Sequence, residues 1–453
     1  MQRKFHWLPR YRHELNTCLR RARGCIGVRT SCLIQAISVA ATLGFVACNP
    51  AAAGDAAAPD EVPAPRIFKP GLMYSGAAFA NLGGGVRPGG TYTSNLNLQA
   101  SVDGAALFGW PDTIGYLDAL WLQGGLPSNF IGDAQGVSSI SAPNAVKLYE
   151  AWVQKNFVEN HVSVLVGLYD LNSEFYTLQS AALFLNSSFG IGPEFALSGA
   201  EGPSIFPDTS VGIRIAFKPT EGVVIRTAVL DGVPVDRPNG SRGIFEAGDG
   251  ALIVGEVAFV DRPQDATRQA SRRLRIGRQS NLGAYDQKVA IGGWYYTATF
   301  DDLSATQSNG QPVQHRGSGG VYAIADKLLY TDPGNPARKL TVFVQAGLGD
   351  NRVDRFGTYF GAGLTAPGVI ASRAADELGL AVAYARNGSH YMTAQRTQGL
   401  PVTNAETAIE FTYLVQVNSW LAIQPDLQYV VTPNTTPTIP NAWAFQVRFE
   451  MSF

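Results

Sequence analysis

From about residue 71 to the last residue, apolar and polar side chains alternate with a period of two. The alternation comes in stretches of about ten residues, separated by Gly, Pro, Asn and Asp, the pattern of a membrane-spanning β-barrel. In 92–103, Leu96, Leu98, Ala100 and Val102 share one face, and Thr93, Asn95, Asn97, Gln99, Ser101 and Asp103 the other. In 211–218, Val211, Ile213, Ile215 and Phe217 oppose Arg214 and Lys218. In 406–417, Thr407, Ile409, Phe411, Tyr413, Val415 and Val417 oppose Glu406, Glu410, Thr412 and Gln416. No segment beyond the N-terminal region is an apolar helix of spanning length, which excludes a helical membrane bundle. A soluble sandwich also alternates, but its outer faces are richer in Lys and Glu than these Asn-, Gln- and Thr-containing rows.

The pattern predicts an all-β protein: a transmembrane antiparallel β-barrel of about sixteen strands. They fall near 71–81, 92–103, 113–123, 145–157, 161–170, 209–218, 222–230, 250–260, 288–300, 319–330, 338–347, 355–364, 376–386, 406–417, 421–431 and 442–453. An even number leaves both ends of the barrel on the periplasmic side. The connections 158–160, 219–221 and 418–420 are tight, whereas 171–208, 231–249, 301–318 and 387–405 are long and read as extracellular. The Arg-rich stretch 261–287 breaks this rule as a long periplasmic connection, and admits a slipped or an extra strand.

The chain ends on its sharpest local signal. Trp443, Phe445, Val447, Phe449, Met451 and Phe453 form an apolar row, and Gln446, Arg448, Glu450 and Ser452 the polar one. A terminal Phe on such a strand resembles the signal read by the barrel-assembly machinery; an ordinary edge strand would leave an aggregation-prone row there.

The other end has the order of a secretory signal. Eight basic residues and one acid precede an apolar run, Ser31 to Ala47, and then Ala51-Ala52-Ala53-Gly54. The reading is a removed signal over 1–53, a lead-in rich in Ala, Pro and Asp over 54–70, and the barrel over 71–453. Phe45-Val46-Ala47 fits a lipobox before Cys48 poorly. The chain has 35 basic and 36 acidic residues, so removing 1–53 leaves 27 and 35, a formal charge of about −8. That balance does not suit nucleic acid. All four cysteines fall in the removed part, so neither a disulfide framework nor a thiolate metal site is expected.

Enzyme motifs are missing. His161, His315 and His390 have no ligand-spaced partners, and there is no G-x-S-x-G. Gly83-Gly84-Gly85 lacks the Lys and the strand–helix context of a phosphate loop and reads as a hairpin. No cofactor, metal or catalytic residue is therefore expected.

Several segments, taken in order, resemble the carbohydrate-selective porins of the OprB type. They are Leu148 to Phe175 with Tyr149-Glu150-Ala151-Trp152 and Val166-Gly167-Leu168-Tyr169-Asp170-Leu171-Asn172-Ser173-Glu174-Phe175, Leu183 to Gly190, and Gly202 to Pro207. Asp231 to Pro234, Gly292 to Tyr295 and Gln424 to Tyr429 continue the match. The resemblance implies a sixteen-stranded barrel with a constricted, sugar-preferring pore in the bacterial outer membrane.

A sugar pore needs aromatic faces for the C–H face of a pyranose and forked donors and acceptors for its hydroxyls. The inward-row candidates are Glu150 and Trp152, with Arg214, Arg226, Glu256, Asp426 and Gln428. Asp170, Asn172 and Glu174 add to them where the connection 171–208 begins. That connection carries Leu183, Phe184, Leu185 and Phe189, more apolar surface than a solvated loop tolerates, and is expected to fold inward and narrow the barrel. Passive diffusion of small carbohydrates such as monosaccharides is the leading reading. A general or charge-selective porin, a barrel enzyme and an adhesive or structural barrel are the alternatives. Expected partners are small sugars, outer-membrane lipid and the assembly machinery, with homo-oligomerisation left open.

Overall fold

The computed structural model describes residues 67–234, 246–261 and 285–453. The expected export signal, most of the expected lead-in and nearly all of the connection 261–287 lie outside these residues. Sixteen strands follow one another: β1 (Phe68–Gly83), β2 (Gly89–Asp103), β3 (Thr113–Gly124), β4 (Ala145–Phe157), β5 (Val162–Tyr169), β6 (Ser210–Thr220), β7 (Val223–Asp231) and β8 (Ala251–Asp261). The second half comprises β9 (Gln287–Thr306), β10 (Pro312–Asp332), β11 (Asn335–Gly349), β12 (Phe356–Pro367), β13 (Glu377–Asn387), β14 (Ala405–Gln416), β15 (Leu421–Val431) and β16 (Ala442–Ser452). Each strand pairs with its sequence neighbours, and β1 closes the barrel antiparallel on β16.

The two rows of each strand separate by environment. Leu98, Trp121, Val153, Val166, Phe259, Ile291, Val321, Leu380 and Phe411 are exposed large apolar residues on the outer wall. Asn97, Asp118, Arg214, Glu256, Gln345, Glu410 and Gln446 are buried in the interior. A water-soluble protein would invert this arrangement; a lipid-facing wall around a polar lumen requires it.

Closure meets at the chain end. Met73 through Gly83 pair with Ser452 back to Trp443. Phe453 exchanges two backbone hydrogen bonds with Leu72, at 2.9 and 3.1 Å, and its ring stacks on Trp420 at 5.7 Å. No spanning edge is left unpaired. In the β1–β2 turn, Gly84 and Gly85 have φ of +73° and +68°, and a Cβ on Gly84 would lie 1.8 Å from the Asn441 carbonyl oxygen. The glycine run is a hairpin turn, as its sequence context implied.

One connection differs from expectation. β9 and β10 run on to Thr306 and from Pro312, so 301–318 is a hairpin with a five-residue tip, 307–311, not a long loop. Above the bilayer both faces of a hairpin are wet, so alternation fades although the backbone ladder continues. β1 likewise begins at Phe68, earlier than the alternation suggested.

Candidate functional site

The lumen wall is built first by β3 and β4. Asp118 pairs with Glu150, but Ala119 pairs with Leu148, leaving Tyr149 as a bulge. The extra residue shifts the phase of β4. Val146 and Leu148 face out before it and Val153 after it, while Tyr149 and Glu150 are both buried inside. Trp152 therefore points inward with Glu150 and Gln154, as the sequence row required. Its ring stacks on Tyr116 at 5.1 Å, and its indole N–H donates to Glu150 Oε1 at 3.2 Å. Asn97 and Gln99 each donate to Asp118 at 3.0 Å. Gly167 faces Trp152 across β5 with φ of +142°, and a Cβ there would lie 2.2 Å from the Ala151 carbonyl oxygen and 2.6 Å from Trp152 Cα. The aromatic pair sits where only a glycine lets the neighbouring strand approach.

Beside this wall lies a line of alternating charge. Glu174 pairs with Arg214 at 2.6 Å and approaches Arg226 at 4.0 Å. Glu256 approaches Arg226 at 3.6 Å and Lys288 at 3.5 Å. Three cations against two carboxylates form a fully buried network, in which each charge has a counter-charge to offset its desolvation. Tyr169 donates to Glu174 at 2.6 Å and Tyr322 to Glu256 at 2.9 Å.

Those same charges hold the connection between β5 and β6. Asp170 caps its first turn by accepting from Asn172 N at 2.9 Å, receives Tyr149 Oη at 2.5 Å, and donates its own N–H to Glu150 at 3.2 Å. Asn172 is fully buried and clamps the loop neck, donating to the carbonyls of Phe175 and Gly190 at 3.0 Å. Beyond the neck the loop turns into the barrel. Tyr176 N donates to Glu256 at 2.9 Å, and Lys288 donates to the Thr177 carbonyl at 2.7 Å. Leu185 and Asn186 donate their backbone N–H groups to Glu410 at 2.6 and 2.9 Å. Gln424 and Gln345 donate to the carbonyls of Leu183 and Phe189 at 2.7 and 3.0 Å.

Apolar packing completes the anchorage. Phe195, on the short helix Pro193–Ala196, is fully buried and stacks on Trp294 at 4.2 Å and 13°. Phe184 and Phe189 pack on Phe343 at 5.6 and 5.9 Å. Burial of one such ring contributes roughly 2–3 kcal/mol, so this is a docked element rather than a solvated loop. Glu194 lies in the same packing. It accepts from Tyr176 Oη at 3.0 Å, and a Cβ on Gly347 would be 1.9 Å from its carboxyl. Burial raises its carboxyl to about 7.

A second connection, 125–144, also folds inward. Ala134 and Gln135 donate backbone N–H groups to Glu406. Gln428 and Gln446 donate to the Val137 carbonyl at 2.9 and 2.8 Å, and both also donate to Asp426. Arg448 donates to Ser138 and Ser139 at 3.2 and 3.1 Å. The two connections are joined directly: Ser139 N donates to the Leu185 carbonyl and Ser187 N to the Gly136 carbonyl, both at 2.8 Å.

The candidates thus divide into three groups. Glu150 and Trp152 form a polar–aromatic wall with Tyr116 and Asp118. Asp170, Asn172, Glu174, Arg214, Arg226 and Glu256 root the first inward loop, while Asp426 and Gln428 support the second. The sequence reading did not assign Tyr116, Lys288, Glu406 or Glu410 to this region, although the glutamates stand in the inward row. His315 and His390 both hydrogen-bond Asp302 at 2.8 Å, an encounter made by the fold. Among the described residues no group of three or more His, Cys, Asp or Glu could hold a metal ion.

Comparison with known proteins agrees with this architecture. Porin B of Pseudomonas aeruginosa is 22% identical over 414 residues, covering 84% of this chain and 87% of that protein. The high-pH structure of Pseudomonas putida OprB superposes with a TM-score of 0.74 at 20% identity, covering 85% of this chain and 94% of that one. The low-pH structure of the same protein gives 0.53 at 17% identity, covering 85% and 92%. Residues 87–453 match the family model described as carbohydrate-selective porin, OprB family. A closed sixteen-strand barrel with a docked inward loop, matched over most of its length by that model, belongs to the carbohydrate-selective porins of the OprB family.

Proposed function

We propose that sugars cross this outer-membrane porin between the β2–β4 wall and the two inward loops, with Trp152 and Tyr116 as the stacking platform. The observation that carries this reading is the half-buried Tyr116–Trp152 pair, flanked by Glu150, Asp118 and Gln99 on the lumen side. An aromatic face matches the C–H face of a pyranose, and carboxylates and amides fork to its hydroxyls. Arg214, Arg226, Glu174 and Glu256 act by holding the loop, and Asp170 and Asn172 by fixing its neck. Asp426 and Gln428 support the second loop beside the channel. Transport is passive, so selectivity arises from contact during diffusion.

The test is sugar block of ion current in planar bilayers, together with liposome swelling by sugars and amino acids of matched size. Trp152→Ala should weaken glucose block severalfold while changing conductance little, because a single stacking contact is worth about 1 kcal/mol. Unchanged block with normal folding would move the platform elsewhere in the lumen and favour a general or charge-selective pore. Residues 1–53 serve in this reading as the export signal. The seam residue Phe453 acts as the terminal recognition signal for barrel assembly.

A further inference from the structure

The inward row of β4 runs on past Trp152 to Gln154 and Asn156, both half-buried, toward the tight β4–β5 turn and the periplasmic mouth. The hydrogen-bond polarity of this pair is fixed from one end. Arg214 Nη2 donates to Gln154 Oε1 at 2.7 Å, while its Nη1 donates to Ser163 Oγ at 2.5 Å and its Nε faces Glu174 at 2.6 Å. A guanidinium only donates, so Gln154 must turn its carbonyl to Arg214 and its nitrogen away. Gln154 Nε2 then donates to Asn156 Oδ1 at 2.9 Å. Asn156 is thereby left with its nitrogen at the open end of the relay; among the described residues that nitrogen has no hydrogen-bond partner.

An apolar side chain accompanies these donors. Ile114 is the cross-strand partner of Gln154, stands two residues from Tyr116 on the inward row of β3, and is 44% exposed. A large apolar residue on a wet inner row is out of place. Leu120, Leu122 and Leu165, inward on the same wall, are all buried. Depth supplies the last link. Two residues advance a strand by roughly 7 Å, which at a tilt of about 40° is roughly 5 Å along the pore, comparable with one pyranose ring. Ile114 and Gln154 therefore lie one ring below Tyr116 and Trp152, with Asn156 at the lower edge of that level. The two levels differ in chemistry: Glu150 and Asp118 accept beside the aromatic pair, whereas the amides below donate.

We propose that Ile114, Gln154 and Asn156 form a second sugar station, so that the pore holds two linked pyranoses at once and favours a neutral disaccharide over a monosaccharide. The first ring stacks on Trp152 and Tyr116 and gives its hydroxyl protons to the carboxylates. The second lays its C–H face on Ile114 and offers ring and hydroxyl oxygens to the amide N–H groups. Arg214 is a positioning residue here: besides holding the loop, it sets which way both amides point. Its charge is matched by Glu174, so the station is neutral. The station rests on the Trp152–Tyr116 platform proposed above and extends it.

The test is block of ion current through the full barrel in planar bilayers by glucose, by maltose and by a polyethylene glycol of the size of maltose. Wild type should bind maltose about tenfold more tightly than glucose, the gain of one added hydrogen bond with its apolar contact, and the polymer should block less than maltose. Asn156→Asp replaces the terminal donors with acceptors in the same shape and should bring the maltose-to-glucose ratio close to one. Ile114→Ser should lower the ratio by a smaller factor. Comparing two sugars in one channel cancels any change in ion conductance. Trp152→Ala tests the platform separately and should weaken block by both sugars. Heat-modifiable migration checks folding, and Asn156→Ala carries the test if Asn156→Asp does not fold. Equal binding of glucose and maltose by wild type overturns the station even where Trp152→Ala bears out the platform, as does a wild-type ratio in the folded Asn156 variant. Equal block by maltose and the polymer leaves size alone to decide and overturns it as well. Unchanged block of both sugars in Trp152→Ala removes the platform instead, and the ratio in the Asn156 variant still decides the station.

Discussion

Docking of the inward loop should weaken as pH rises, and Glu194 should carry much of that dependence. The carboxyl is fully buried on the loop, against Tyr176 of the loop and Tyr359 of β12, with Gly192 and Gly347 making room for it. No cation is among the groups shifting it, and burial raises it from 4.5 to about 7. A group raised in the docked state favours docking when protonated. Its contribution is complete below about pH 4.5 and lost as pH climbs through about 7. At about 1.4 kcal/mol per pH unit the loss reaches about 3 kcal/mol, or roughly a hundredfold in the undocking equilibrium. Asp354 acts with the same sign: burial raises it to about 7, and it accepts the Gly199 N–H of the same loop and Ser318 Oγ. Single-channel recordings from pH 4.5 to 8 should therefore show conductance fluctuations growing and sugar block falling as pH rises. Glu194→Gln keeps the Tyr176 hydrogen-bond acceptor and should flatten part of the profile, and Glu194→Gln with Asp354→Asn most of it. A double variant that folds and retains the wild-type pH profile refutes the reasoning.

Removing Leu183 to Pro193 should raise single-channel conductance and weaken discrimination between sugars and amino acids of equal size, because a solute in a wide channel touches neither rings nor hydrogen-bond forks. Unchanged conductance in a folded deletion would shift the constriction to the connection 125–144, which the Glu406, Gln428 and Gln446 contacts also hold inside. Phe195→Ala should undock the loop by about 3–4 kcal/mol, the usual cost of deleting a buried ring, with faster limited proteolysis between residues 176 and 200 while the barrel itself stays resistant. Deleting Phe453 removes the two backbone bonds to Leu72 and the stack on Trp420, and should leave exported, protease-sensitive chain in the periplasm. Normal heat-modifiable barrel after that deletion would remove the residue from any role in assembly.

What the sequence determined by itself is the wall. A period of two with apolar residues on one side permits few solutions in a bilayer, because every backbone group must be bonded internally and the rows must face opposite solvents. Strand number, closure and the inward direction of Glu150, Trp152, Arg214 and Glu256 follow from that local chemistry. The apolar residues in 171–208 likewise signalled an inward fold, because Phe184 and Phe189 gain nothing in water. The tertiary structure alone decided what meets what. Spacing along the chain carries no information on the contact of Glu410 with Leu185 and Asn186, 225 and 224 residues apart, or of Gln446 with Val137, 309 residues apart. The Tyr149 bulge is similarly silent, since one extra residue changes a strand's phase without changing its composition. The hairpin of β9 and β10 outruns its alternation because ladder hydrogen bonds do not depend on which side is wet. Periodicity records the two solvents a strand separates; where loops cross the lumen there is only the packing of one surface on another.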